Sequence, residues 1–266
     1  MTTGLSLHDL SDSGLLSGIT ATFESGRVHG IIGPNGAGKS TLITALAGLR
    51  HTTGDILVDG IDPRRLPPRK RARLISYLPQ ITDVHSDVTG RDIVRMSRYA
   101  RLSRFGSLTA TDEAACASAL QLTGAYAWAD RPYLSTSGGE QQLTQLARTI
   151  AQGAQIMLLD EPNSALDLAH ELEVLTLIRQ WVTEHEGTVI VVLHDLSLAA
   201  RFCDTVSLLV DGSLVGTGSP EAVLTPQAIA QAYRVEVDVS YSPLTDSLQI
   251  TPVSPLHRPT QLSTAA

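Results

Sequence analysis

Five short stretches of this sequence carry side chains able to handle phosphate and water. "GPNGAGKST" (33–41) sets Gly33, Pro34, Asn35, Gly36, Ala37 and Gly38 ahead of Lys39, Ser40 and Thr41. Glycines let the backbone curl until successive N–H groups converge on phosphate oxygens. A helix that follows points its positive end at the same place. In such a loop Lys39 reaches the outer phosphates and the Ser40 hydroxyl joins a Mg²⁺ shell. "IMLLDEP" (156–162) ends an apolar run on two acids. A carboxylate at the end of a buried strand sits where ligands bind in open α/β sheets. Asp160 would hold Mg²⁺ through its water shell, and Glu161 would polarise a water for attack on the γ-phosphate. His194 in "VVLHDLS" and Gln80 in "SYLPQ" follow apolar runs in the same way. Each alone reads as a structural imidazole or a surface amide. The fifth stretch, "STSGGEQQ" (135–142), is a second glycine-marked helix start about a hundred residues later. One phosphate group needs only one such cradle.

The elements that must position these residues are legible from periodicity. "VHGII", "IMLL" and "VIVVL" are apolar without alternation, as strands buried on both faces are. Helices are expected over Lys39–Ala47, Ala169–His185 and Leu196–Cys203, which makes a parallel α/β domain. "GDILVDG" (54–60) reads as a strand ending in a turn, and 206–218 as a hairpin around Asp211-Gly212. Between about 84 and 150 strand signals vanish and helical spacing takes over, so an α-helical subdomain is inserted there. Beyond about 235 the chain alternates, enough for one or two strands, and its last dozen residues are expected to be loose.

Composition excludes several classes. The 266 residues suit one large α/β domain with an inserted piece, and 42% hydrophobic residues allow a sizeable core. Aromatics at 4% point to aliphatic packing. The net charge of −7 gives no global attraction to nucleic acid or anionic lipid. No basic-then-apolar leader opens the chain and no apolar run approaches a membrane span, so a membrane role is expected to come through a partner. Cys116 and Cys203 lack metal-ligand spacing and read as reduced structural thiols of a cytosolic protein.

In order, "GPNGAGKST", "YLPQ", "STSGGEQQ", "IMLLDEP", "SALD" and "VVLHD" resemble the ATP-binding subunits of ABC transporters over about residues 5–235. The resemblance implies a P-loop NTPase fold: a RecA-like parallel sheet core, a small antiparallel β region and the inserted helical subdomain. The parts would be 1–83, 84–150, 151–235 and a C-terminal tail, 236–266. It implies ATP and Mg²⁺, with Ser40, Gln80 and Asp160 at the metal. Ser137, Gly138 and Gly139, with Glu140 just inside the helix, would close on the γ-phosphate held by a second copy in a head-to-tail homodimer. Gln80 would connect the metal or water to the transmembrane partner, Asp167 would lie at the subunit interface, and His194 would be the switch histidine. Two permease subunits, an extracytoplasmic substrate-binding protein acting through them, and a place on the cytoplasmic side of the membrane follow; nucleic acid does not. Two departures stand out. Thr136 occupies a position usually held by Leu; a threonine can still enter the helix, so binding is expected to survive with altered packing. No aromatic lies near Ser11 to stack on adenine, so ATP and GTP are expected to be weakly discriminated. "RYARLSRFG" (98–106) and "DGSLVGTGSPEAVLTPQAIAQAYRVEVDV" (211–239) resemble the branch that imports ferric siderophores, haem and cobalamin, the first of these being favoured. The alternatives are a soluble ABC-type ATPase, an exporter or amino-acid importer subunit, and a non-hydrolysing nucleotide-gated scaffold.

Overall fold

A computed structural model describes residues 4–80, 87–102, 106–164 and 166–256. The strands are β1 Leu5–Ser11, β2 Ile19–Phe23, β3 Val28–Ile32, β4 Thr53–Val58, β5 Ile75–Leu78, β6 Ile156–Asp160, β7 Thr188–Val192, β8 Thr205–Val210, β9 Ser213–Gly218, β10 Val235–Ser242 and β11 Ser247–Pro255. The α-helices are α1 Lys39–Leu46, α2 Pro68–Leu74, α3 Gly90–Met96, α4 Ala110–Leu122, α5 Gly138–Ala151, α6 Leu168–His185, α7 Leu196–Phe202, α8 Pro220–Val223 and α9 Pro226–Tyr233.

The central sheet has the order β5-β6-β7-β3-β8-β9, parallel except for β9. Its inner strands β3, β6 and β7 are buried at every position and mostly apolar, because both faces are covered. On one face Val28, Ile32, Met157, Leu159, Val189 and Val191 pack with α6, α7 and α9. On the other, Ile31, Ile156, Leu158, Ile190 and Val192 pack with α1 and with the antiparallel sheet β2-β1-β4. Alternate residues of one strand therefore feed two separate cores, and the expected parallel α/β fold holds.

Between β5 and β6 the described chain is helical, with its own small core of Val94, Cys116, Ala119, Leu120, Ala147 and Ala151. Thr89 and Thr109 start α3 and α4 through reciprocal caps with Asp92 and Asp112. The expected boundary near residue 84 lies outside the described residues. So do most of the last dozen residues, read as loose. The alternating stretch before them forms both strands: β10 and β11 pair as a hairpin, Val237 and Ile250 enter the main core, and the Ile250 N–H donates to Ser197 Oγ (3.0 Å). Both cysteines are buried and unbridged, and burial pushes the Cys203 thiol up to about 12. Among the described residues no helix is long and apolar enough to cross a membrane.

Candidate nucleotide-binding site

The parallel sheet brings the carboxyl ends of β3, β5, β6 and β7 to one edge. β3 lies between β7 and β8, so the loop after it opens beside the ends of its neighbours. Residues 33–38 form that loop, and α1 begins at Lys39. Gly33 must be glycine: its φ is 152°, and a Cβ there would lie 2.1 Å from the Leu209 carbonyl oxygen. Gly36 and Gly38 hold φ values of 81° and 101°, which turn the chain through a tight cradle. The N–H groups of Gly38, Lys39, Ser40 and Thr41 have no acceptor among the described residues, as at any uncapped helix start. They converge on a cavity of about 620 Å³ lined also by Asn35, Gln80, Glu161 and His194.

Lys39 is 6% exposed. Its ammonium donates to the carbonyls of Gly33 (2.7 Å) and Pro34 (3.1 Å). Burial pulls its pKa down, while Glu161 and Asp160 oppose that pull. Asp160, at the end of β6, is 2% exposed and accepts from the Ser40 hydroxyl (3.2 Å). Burial raises its pKa; the Ser40 hydrogen bond and the Lys39 charge work against this, and the Glu161 charge adds to it. The site thus holds a buried carboxylate whose strongest partner is a neutral hydroxyl, under a ring of free backbone donors. That donor set fits a polyphosphate with a divalent cation: anionic oxygens for the N–H groups and Lys39, a cation for Ser40 and Asp160.

Glu161 has φ 52°, a left-handed conformation that non-glycine residues adopt at a cost of about 1–3 kcal/mol. The twist turns its carboxylate to the cavity instead of following the strand. There Gln80 Nε2 donates to Oε2 (2.7 Å), and His194 Nε2 is hydrogen-bonded to Oε1. Read separately in the sequence, these three residues meet at one carboxylate.

The "SGGE" stretch is not brought to this cavity; none of Ser137, Gly138, Gly139 or Glu140 lines it. Ser137 caps α5, its hydroxyl accepting from Glu140 N–H (3.3 Å), while Glu140 Oε2 accepts from Ser137 N–H (2.8 Å). This reciprocal cap was readable as S-x-x-E and was overlooked. Thr136, which can enter the helix by residue type, stays outside it. Its extended backbone (φ −90°, ψ 156°) precedes the cap, and its buried hydroxyl donates to the Tyr133 carbonyl (2.6 Å). A β-branched residue with a local hydroxyl bond suits that extended position. The helix remains tied to the acid turn, because Gln142 Nε2 donates to the Pro162 carbonyl (3.1 Å). Asp167 also stands outside the cavity, capping α6 by accepting from His170 N–H (3.0 Å).

Leu15 was missed altogether. It is 49% exposed and lines the cavity on the side where an aromatic was absent from the sequence. Asp12 holds its loop, accepting from the N–H groups of Leu15 and Leu16 (both 2.7 Å). Those donors keep the Asp12 pKa at about 2.

The ABC transporter description matches residues 16–164. The chain belongs to the ABC transporter family. Among its ABC relatives, the cobalamin import ATP-binding protein of Halobacterium salinarum is 39% identical over 252 residues, covering 94% of this chain and 63% of that protein. The chain thus spans less than two thirds of that relative. The hemin import ATP-binding protein of Bordetella avium is 40% identical over 248 residues (88% of this chain, 94% of the relative). The iron(3+)-hydroxamate import ATP-binding protein of Bacillus subtilis is 32% identical over 236 residues, 88% of each. A solved inward-facing ABC transporter described as metal-chelate type matches with a TM-score of 0.81 at 26% identity, over 96% of this chain and 98% of its own.

Proposed function

We propose that this chain is the ATP-hydrolysing subunit of an ABC importer, driving uptake of an iron–siderophore complex through two permease subunits. The observation that carries it is the Glu161 carboxylate, buried beside Lys39 and held between Gln80 and His194. A non-hydrolysing scaffold would have no use for a strained acid aimed at the phosphate cavity.

Each residue then has a task. The 33–41 loop binds the phosphates through its N–H groups, and Lys39 neutralises the outer ones. Ser40 and Asp160, with Gln80 lining the same cavity, would hold Mg²⁺, which would draw charge from the phosphate oxygens. Glu161 orients the attacking water and accepts its proton. Gln80 and His194 fix the carboxylate in the direction of attack, and Gln80 starts the route to the permease. Leu15 offers the base an aliphatic wall in place of a ring, which supports weak discrimination between ATP and GTP.

The second helix start completes a partner's site. Gly138 supports this reading, since a Cβ there would meet nothing within 4 Å among the described residues. Glycine within a helix costs roughly 0.5–1 kcal/mol relative to alanine, and no packing here compensates for it. The demand for a bare backbone comes from outside the chain: the γ-phosphate on a second copy, approached by Ser137, Gly138 and Gly139, with Asp167 at the same interface. Gly138→Val is expected to leave thermal stability within about 1 kcal/mol. Turnover should drop at least about tenfold, as when an anion-stabilising donor is displaced. Unchanged turnover would remove the shared site.

The cargo reading rests on the siderophore-like stretch 98–106, of which 103–105 lie outside the described residues. The cobalamin and hemin names of two relatives favour a second reading, import of one of those chelates. Deletion of the gene should abolish uptake of radiolabelled ferric siderophore and spare haem and cobalamin; the opposite pattern selects the second reading.

A further inference from the structure

Six of the chain's 20 lysines and arginines fall within residues 64–73, with no acid between Asp62 and Asp83. The rest of the chain carries a net −13. Such a segment usually forms ion pairs when folded. Here Arg64 does, with Asp62 at 2.8 Å, and Arg65 reaches the same carboxylate at 3.4 Å. Arg69, Lys70, Arg71 and Arg73, all on α2, have no carboxylate partner among the described residues.

Three of these four are instead held by backbone carbonyls. Arg69 donates to Leu102 O (3.3 Å), Arg71 to Gly48 O (3.1 Å) and Arg73 to Ala100 O (3.2 Å). A carbonyl fixes a guanidinium in place without cancelling its charge. Arg101, on the 3₁₀ turn Ser97–Arg101 beside α2, is held the same way by Gln152 O (3.2 Å) and Gly153 O. Burial lowers the Arg101 pKa, and the positive charges of Arg98 and Arg73 lower it further, so these cations feel one another. Arg98 is internal, paired with Asp112 at 2.8 Å. Arg69 shares an open cleft with Tyr99, Leu102 and Glu113. Tyr99 is 54% exposed, and Glu113 is engaged by Arg95 (3.0 Å).

We infer that α2 and the adjoining 3₁₀ turn form a docking surface for anionic phospholipid headgroups, with Arg69, Lys70, Arg73 and Arg101 as the cations. Fixed, uncompensated charges on an otherwise acidic protein complement a negative surface, and each basic residue near such a surface adds attraction that salt screens. Tyr99 adds an amphipathic ring of the kind that settles at the headgroup level. A flat membrane meets only the face turned to it. A long polyanion such as nucleic acid would also meet the acidic remainder. The surface does not depend on ATP hydrolysis or on a permease, so it can fail while the transport reading stands, and the reverse.

The test is co-sedimentation of the full chain, without permease, with vesicles of equal parts phosphatidylglycerol and phosphatidylcholine, against pure phosphatidylcholine. Binding is expected to the anionic vesicles only, and to vanish in 1 M salt, where the screening length is about 3 Å. Arg69→Gln/Lys70→Gln/Arg73→Gln should weaken it about 100-fold, at roughly fivefold per cation. Lys70→Gln alone, which breaks no side-chain hydrogen bond among the described residues, should weaken it about fivefold and guards against misfolding of the triple variant. Equal binding to neutral vesicles, absence of binding to anionic ones, or undiminished binding by Lys70→Gln and the triple variant would overturn the assignment. Capture of an acidic peptide with no vesicle binding would also overturn it, giving the surface to a protein partner.

Discussion

Glu161→Gln is expected to bind ATP as well as the parent chain and to turn it over 100-fold more slowly or worse. A positioned general base contributes about 10²–10⁴ to rate, and its amide isostere cannot accept the proton. The shape of the site should survive, because the side chain keeps an oxygen for the bond that Gln80 now makes (2.7 Å). The electrostatic consequence is also definite. The Glu161 charge is among the influences raising the Asp160 pKa. Without it Asp160 ionises more readily, so ATP affinity in the variant should persist to lower pH than in the parent. If two copies close around ATP, the loss of hydrolysis should also trap them as a dimer. Steady-state hydrolysis with equilibrium ATP binding, each as a function of pH, and light scattering with and without ATP check all three. Parent-like turnover would remove Glu161 from the base role.

Lys39→Ala is expected to act one step earlier, on binding itself. The ammonium is buried among two carboxylates and the loop carbonyls, and it is the one cation lining the cavity among the described residues. Its removal leaves Asp160 and Glu161 without their nearby opposing charge, so Asp160 holds its proton to higher pH and incoming phosphates meet unrelieved repulsion. Hydrogen bonds to charged groups contribute about 1.5–3 kcal/mol each. A loss of about 100-fold in ATP affinity, or about 2.7 kcal/mol, follows from one or two such bonds. Titration calorimetry with ATP measures it; unchanged affinity would contradict the role. The two substitutions separate cleanly: one keeps affinity and loses turnover, the other loses affinity first.

What the sequence determined by itself was local. Turn chemistry made the 33–41 loop readable, because the glycines there answer to backbone geometry within a few residues. Unbroken apolar runs before Gly33, Asp160 and His194 marked strands covered on both faces, and with them the parallel sheet and the helical insertion. The S-x-x-E cap of α5 was equally local and equally readable. What the tertiary structure alone decided was convergence. Gln80, Glu161 and His194 lie on three segments separated by 81 and 33 residues, and their meeting depends on β6 and β7 being neighbours while β5 flanks β6. Strand order is set by crossover connections and by which faces the helices cover, and no periodicity within one strand encodes it. The left-handed twist at Glu161 and the arrival of Leu15 at the cavity belong to the same class. Each depends on packing between segments distant in sequence, where short-range rules carry no information.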